Sequence, residues 1–91
     1  MVYLLIMSAT AFDLELITPE GILVQDKVVE VVAVTEAGEI GILNRHTDLQ
    51  STLGSAPLRF KSEAGKLDTY AVLGGVIEVK DNKVTVITDF A

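Results

Sequence analysis

The sequence predicts an all-β domain, an antiparallel β-sandwich of about nine to ten short strands. Hydrophobic and polar residues alternate along much of the chain, and turn residues recur roughly every 8–12 positions. No segment carries a helical stripe of about ten residues or more. The chain has 91 residues, of which 49% are hydrophobic and mostly aliphatic, so we expect one domain with one core, over residues 10–91.

The strands follow from the pattern in chain order. Phe12–Leu16 places its apolar side chains on one face and its two carboxylates on the other. Thr18–Gly21 predicts a turn, because Pro fixes φ and Gly accepts positive φ. Lys27–Thr35 is so apolar that we expect cover on both faces or a place at an interface. The other predicted strands are Ile22–Gln25, Glu39–Leu43, Leu49–Leu53, Leu58–Lys61, Thr69–Leu73, Val76–Lys80 and Lys83–Thr88.

Further turns separate these strands, among them Glu36–Gly38 and Ser62–Gly65. Gly54–Pro57 and the pair Gly74-Gly75 are expected to end the strands before them. Asp81-Asn82 joins the last two strands in a hairpin, since Asp and Asn tolerate the left-handed backbone that a two-residue turn requires.

Composition excludes several classes of protein. The formal net charge is −6 with no basic patch, which disfavours binding to nucleic acid or to an anionic lipid surface. With no cysteine, disulfides and thiolate chemistry are excluded, and a reducing compartment is expected. A single His cannot form a multi-His metal site.

Residues 1–9 are interpreted as an N-terminal extension, with Met7 an alternative translation start. The apolar stretch Met1–Met7 is shorter than the ~20 residues of a spanning helix and lacks the basic region of a signal peptide. We therefore expect no membrane insertion.

Residues with chemical potential do not assemble into a catalytic or metal site. His46 and Asp48 are close enough in sequence to pair, yet no activated nucleophile accompanies them. Glu36 and Glu39 flank a glycine without the spacing of a calcium loop, and the glycines do not form a phosphate cradle. We predict no catalytic residue, metal or cofactor, and a function exerted through the surface.

One alternative is a group-carrier domain of the lipoyl or biotinyl type, a small β-sandwich with a modified Lys at a hairpin tip. Lys83 follows the Asp81-Asn82 turn, but it opens the returning strand instead of standing at the apex. Another non-catalytic β-sandwich interaction module is the further alternative.

Four segments in order resemble one family: Thr18–Gly21, Glu36–Leu43 leading to His46, Gly74–Val79 and Asn82–Val86. The family is the epsilon subunit of the F-type ATP synthase, called delta in mitochondria, and the resemblance covers Phe12–Asp89. It implies a ten-stranded β-sandwich, in agreement with the strand pattern.

The sequence departs from the family in two places. Family members commonly have Pro-Gly-His in the polar loop, where Asn44 and Arg45 precede His46 here, so we expect a less rigid loop. Members usually continue into a two-helix C-terminal domain, whereas this sequence ends at Ala91. Without those inhibitory, ATP-binding helices, the chain is expected neither to bind ATP nor to enter the catalytic hexamer.

The resemblance implies a non-catalytic rotor subunit of the central stalk, at the cytoplasmic face of the bacterial inner membrane in the F1 sector. It would couple the gamma subunit to the ring of c subunits in proton-driven ATP synthesis. Glu36 and Glu39 are the expected c-ring contacts. Thr18, His46 and Ser51, with apolar residues between them, are the expected gamma contacts.

Overall fold

Residues 11–91 are described by a computed structural model, and the predicted extension over residues 1–9 lies outside them. The described part contains six strands and no helix: β1 (Phe12–Thr18), β2 (Gly21–Thr35), β3 (Gly38–Ile42), β4 (Leu49–Ser62), β5 (Leu67–Lys80) and β6 (Lys83–Ile87). The all-β prediction is therefore confirmed.

The strands form one sheet in the order β1-β6-β5-β4-β2-β3, and an additional pairing of β1 with β2 closes it. Five strands thus surround the core. The remaining strand, β3, pairs with the C-terminal part of β2, Val31–Thr35. All pairings are antiparallel except that between β1 and β6, which is parallel. A wholly antiparallel arrangement is therefore not what the chain adopts.

The prediction of nine to ten short strands is wrong in number, because three expected breaks lie inside long strands. β2 joins two predicted strands, and β4 and β5 each do the same. In β4, the segment around Pro57 lies opposite a register shift in β2, between the pairs Val32↔Arg59 and Thr35↔Leu53. Pro57 still pairs with β5 through Ala71, so the strand continues through this residue despite its missing N–H.

In β5, the Gly74-Gly75 pair likewise lies inside one continuous strand. Both glycines have positive φ, 77° and 129°, and both lie within a strand that pairs with β4. A Cβ on Gly75 would stand 2.2 Å from the Ile87 carbonyl oxygen, so the close approach of β6 requires a glycine here.

The core is built from alternating side chains, and the inward-facing set changes between odd and even positions once within each of β2, β4 and β5. The predicted inward face of β1 is confirmed, with Leu14 and Leu16 fully buried. The outer face of the apolar segment of β2 is half-buried, at Val32 and Val34. The core residues are Phe12, Leu14, Leu16, Val28, Val31, Ala33, Ile42, Leu53, Leu58, Phe60, Val72, Ile77, Val79, Val84 and Val86.

Candidate functional site

The acidic turn (Glu36–Glu39) joins β2 to β3, and its backbone is hydrogen-bonded to the side chain of Thr35. The Thr35 hydroxyl is buried, donates to the Gly38 carbonyl at 2.9 Å and accepts from the Ala37 N–H at 3.1 Å. The Glu36 N–H donates to the Thr52 carbonyl of β4 at 3.1 Å. These bonds fix the backbone while the Glu36 and Glu39 side chains stay exposed.

Glu39 is ion-paired with Arg59 of β4, at 3.1 Å between Oε2 and Nη2. Both side chains are more than half exposed, so water screens this pair and both groups stay accessible. Arg59 therefore orients the Glu39 carboxylate without withdrawing it from the surface.

Thr18 ends β1, where its hydroxyl lies 3.1 Å from Glu20 Oε2 and 3.4 Å from the Gly21 carbonyl oxygen. Ser51 lies in β4 opposite Ile77, in the row that continues to the buried Val86 and Leu16. Its half-buried side chain thus shares the core-facing side, and the outward neighbour is Thr52.

His46 lies in the polar loop (Asn44–Asp48), which packs on the turn between β5 and β6. Its Nδ1 contacts the Thr47 carbonyl oxygen at 2.8 Å, while Asp48 Oδ1 accepts from the Asp81 N–H at 3.3 Å. The two side chains are engaged separately, so the geometry does not form a His–carboxylate pair.

Two of the predicted gamma contacts, Thr18 and His46, lie at opposite ends of β6. The polar loop meets the β5–β6 turn at Asn82, just before β6 begins, whereas Thr18 follows Ile17, the partner of Ile87 at the end of β6. Five strand residues therefore separate the two positions, or roughly 17 Å. One partner would have to span the length of β6 to contact both.

An exposed apolar row crosses four strands and was not identified from the sequence. We define the apolar row as Ile22, Ile17, Ile87 and Val76, each paired with the next across β2, β1, β6 and β5. Ile22 and Ile87 are both 55% exposed and Val76 is 39% exposed, while Ile17 between them is half-buried. A contiguous outward-facing set of aliphatic side chains is typical of interaction surfaces.

The apolar row ends beside the acidic turn. Val76 pairs with Thr52 of β4, whose carbonyl accepts the Glu36 N–H. At its other end the row begins next to Thr18. The apolar row thus lies beside Thr18 and next to Ser51, two of the three expected gamma contacts, and its members are recognisable only from the strand pairing.

Lys83 does not stand at a hairpin tip. Asp81 and Asn82 occupy the apex with φ of 51° and 60°, while Lys83 Nζ pairs with Glu15 Oε1 at 3.1 Å. Within residues 11–91, no group of three or more His, Cys, Asp or Glu side chains is placed to hold a metal ion. The same range has no helix of the length and hydropathy needed to span a membrane.

The fold and these surfaces define the class of protein: an all-strand domain presenting an apolar row and an acidic turn. Residues 11–91 match the family described as ATP synthase, delta/epsilon chain, β-sandwich domain, and the chain belongs to this family. The resemblance read from the four sequence segments is thereby confirmed, together with the sandwich class.

Relatives named ATP synthase epsilon chain agree with this assignment. That of Natranaerobius thermophilus is 41% identical over 86 residues, which are 93% of this chain and 61% of the relative. That of Caldicellulosiruptor bescii is 40% identical over 78 residues, 86% of this chain and 56% of the relative. The chain thus spans between 56% and 61% of the length of these relatives.

Two solved structures share the fold. A chain in the cryo-EM structure of the Euglena gracilis mitochondrial ATP synthase, comprising OSCP, F1 and c-ring, has a TM-score of 0.81 at 29% identity, over 89% of this chain and 51% of that one. A chain in the central stalk and c-ring structure of the Tetrahymena thermophila mitochondrial enzyme has a TM-score of 0.71 at 18% identity, over 84% of this chain and 61% of that one. At 18% identity the likeness concerns the fold alone.

Proposed function

We propose that this domain belongs to a central-stalk rotor subunit of an F-type ATP synthase and couples the gamma subunit to the c-ring. The observation that carries the proposal is the junction at Thr52, where the apolar row meets the acidic turn on a fold of the delta/epsilon family. Two different surfaces in contact with each other suit a domain held between two partners.

The gamma subunit is the proposed partner of the apolar row, with Thr18 at one end and Thr52 beside Ser51 at the other. Ile22 and Ile87 are already nearly half buried, so covering the rest of each side chain is worth roughly 0.8–1.7 kcal/mol, and a few such residues together supply much of the affinity of an interface. His46 contributes through the polar loop, at the opposite end of β6 from Thr18. A partner that reaches both needs an interface of at least ~1,200 Å².

The c-ring is the proposed partner of Glu36 and Glu39. Both carboxylates are exposed on a turn whose backbone is hydrogen-bonded to β4. Polar and basic groups on the c-subunit loops would pair with them, and exposed charge pairs of this kind set register and association rate more than affinity.

In this role the chain supplies no catalytic group, and torque passes through its two surfaces during proton-driven ATP synthesis. The domain would lie at the cytoplasmic face of the bacterial inner membrane as part of the F1 sector. It reaches the membrane region only through the c-ring.

Two matched substitutions test the gamma surface. Ile87→Ser removes an exposed aliphatic side chain from the apolar row, and Leu67→Ser removes one that is 74% exposed at the start of β5. Leu67 precedes Val76 by nine residues, or roughly 30 Å of strand. Binding to purified gamma subunit should weaken about tenfold or more for Ile87→Ser, and by no more than about twofold for Leu67→Ser. Equal affinities for the two variants would refute the assignment of the row.

A second pair tests the c-ring surface. Glu39→Gln should slow association with purified c-rings and reduce the salt dependence of that rate, whereas Glu63→Gln, in the exposed turn after β4, should change neither. If both variants associate like the wild type at every ionic strength, the acidic turn is not the c-ring contact.

A further inference from the structure

We propose that Asn82 is a positioning residue that holds the polar loop (Asn44–Asp48) in the conformation that presents His46 to the gamma subunit. The inference rests on the proposed function for its partner, but the loop contact itself is independent of it. Asn82 lies on the β5–β6 turn, far from the loop in sequence.

The side-chain amide of Asn82 makes two hydrogen bonds to the loop. Its Oδ1 accepts from the Arg45 N–H at 2.7 Å, and its Nδ2 donates to Asn44 Oδ1 at 2.8 Å. Asp48 adds a third bond between the same two segments, through the Asp81 N–H at 3.3 Å. The amide of Asn82 is the one side chain of its turn that both donates to and accepts from the loop in these contacts.

Arg45 is the residue that requires this support. Its φ is 62°, a left-handed conformation that costs a residue other than glycine roughly 1–2 kcal/mol. Glycine is the residue that adopts this conformation without that cost. The bond from Asn82 to the Arg45 N–H favours the conformation that the backbone of Arg45 disfavours.

The position of His46 follows directly from that of Arg45. The His46 N–H donates to the Leu43 carbonyl at 3.2 Å, which closes a turn around Asn44 and Arg45. If Arg45 leaves its left-handed conformation, this turn opens and the His46 side chain moves with it. Asn82 therefore acts on the proposed contact through Arg45 and need not touch the partner.

Asn82→Gly isolates the role of the side chain. Asp-Gly suits a turn with two positive φ values at least as well as Asp-Asn does, so the hairpin should keep its stability. We expect the melting temperature to stay within about 5 °C of wild type. The hydrogen exchange protection of the Arg45 amide should fall about tenfold, and dissociation from gamma subunit should accelerate about three- to tenfold.

Asn82→Asp is the matched control, because it keeps an acceptor at Oδ1 for the Arg45 N–H. It should retain the protection of the Arg45 amide and dissociate from gamma more slowly than Asn82→Gly.

Unchanged protection of the Arg45 amide in Asn82→Gly would overturn the positioning role of Asn82. Lost protection together with wild-type dissociation from gamma would overturn the part of the proposal that concerns gamma binding. If the wild-type chain does not bind gamma at all, the proposed function fails, and Arg45 exchange alone decides whether Asn82 holds the loop.

Discussion

Adding one methyl group at Gly75 should lower the free energy of unfolding strongly, and the structure gives the size of the steric clash. An added Cβ would stand 2.2 Å from the Ile87 carbonyl oxygen and 3.1 Å from Thr88 Cα. Real Cβ atoms essentially never come within 3.0 Å of such an atom, so β6 would have to retreat by at least 0.8 Å. The same movement pulls on the Thr88 hydroxyl bond to the Gly74 carbonyl, which is 2.7 Å long.

Two terms add in Gly75→Ala. A φ of 129° costs a residue with a side chain about 1–3 kcal/mol, and overpacking adds about 1–3 kcal/mol. A domain of this size has a free energy of unfolding of roughly 4–12 kcal/mol, so a combined loss of about 2–6 kcal/mol should remove about half of it. Its melting temperature should fall by at least about 10 °C.

Alanine substitutions at two other glycines separate the cost of the backbone conformation from the cost of the steric clash. Unfolding of each variant by urea is followed by circular dichroism. Gly38→Ala has positive φ, 115°, with open space around the new Cβ, and should show the backbone cost alone. Gly54→Ala, whose Cβ would lie 3.9 Å from Val34, should change the free energy of unfolding by less than about 1 kcal/mol. If Gly75→Ala unfolds at the urea concentration of Gly54→Ala, the close approach of β6 is not a constraint on the fold.

Two further predictions concern polar contacts. Thr88→Val should lower the free energy of unfolding by about 1–3 kcal/mol, because the buried hydroxyl donates to the Gly74 carbonyl and accepts from the Phe90 N–H. Thr88→Ser keeps the hydroxyl and should retain most of the stability. A valine variant as stable as the wild type would contradict this prediction. Glu39→Gln should change the free energy of unfolding by less than about 0.5 kcal/mol, since its pair with Arg59 is exposed, and a loss above about 1 kcal/mol in the same assay would show a structural role.

Much of the fold could be predicted because its strands alternate locally. The alternation in Phe12–Leu16 depends only on neighbouring residues, and the structure buries the predicted side. The hairpin through Asp81-Asn82 is equally local, and both residues have the expected positive φ.

The strand breaks could not be predicted because they depend on the neighbouring strands. Whether Gly74-Gly75 ends a strand or lies within one is decided by β4 on one side and the close approach of Ile87 on the other. Pro57 stays in a strand because the missing N–H faces a register shift in β2. Neither neighbour is visible from the segment itself.

One of the two candidate surfaces could be predicted from the local sequence, and the other could not. Glu36 and Glu39 lie in a turn that is recognisable from the sequence, and the structure exposes both. The apolar row brings Ile17 beside Ile87 through the parallel pairing of β1 and β6, across a separation that no local pattern records. The hydrogen bonds of the Asn82 side-chain amide to the polar loop also depend on a long-range pairing, that of β4 with β5 at Leu49 and Val79.

The most direct test of the stalk assignment is co-purification of this chain with tagged gamma subunit, followed by addition of purified c-rings. We expect the chain to be retained with gamma in a defined ratio, and the pair to bind c-rings as a ternary complex. A chain that is folded by circular dichroism yet passes through the gamma column unbound would contradict the assignment.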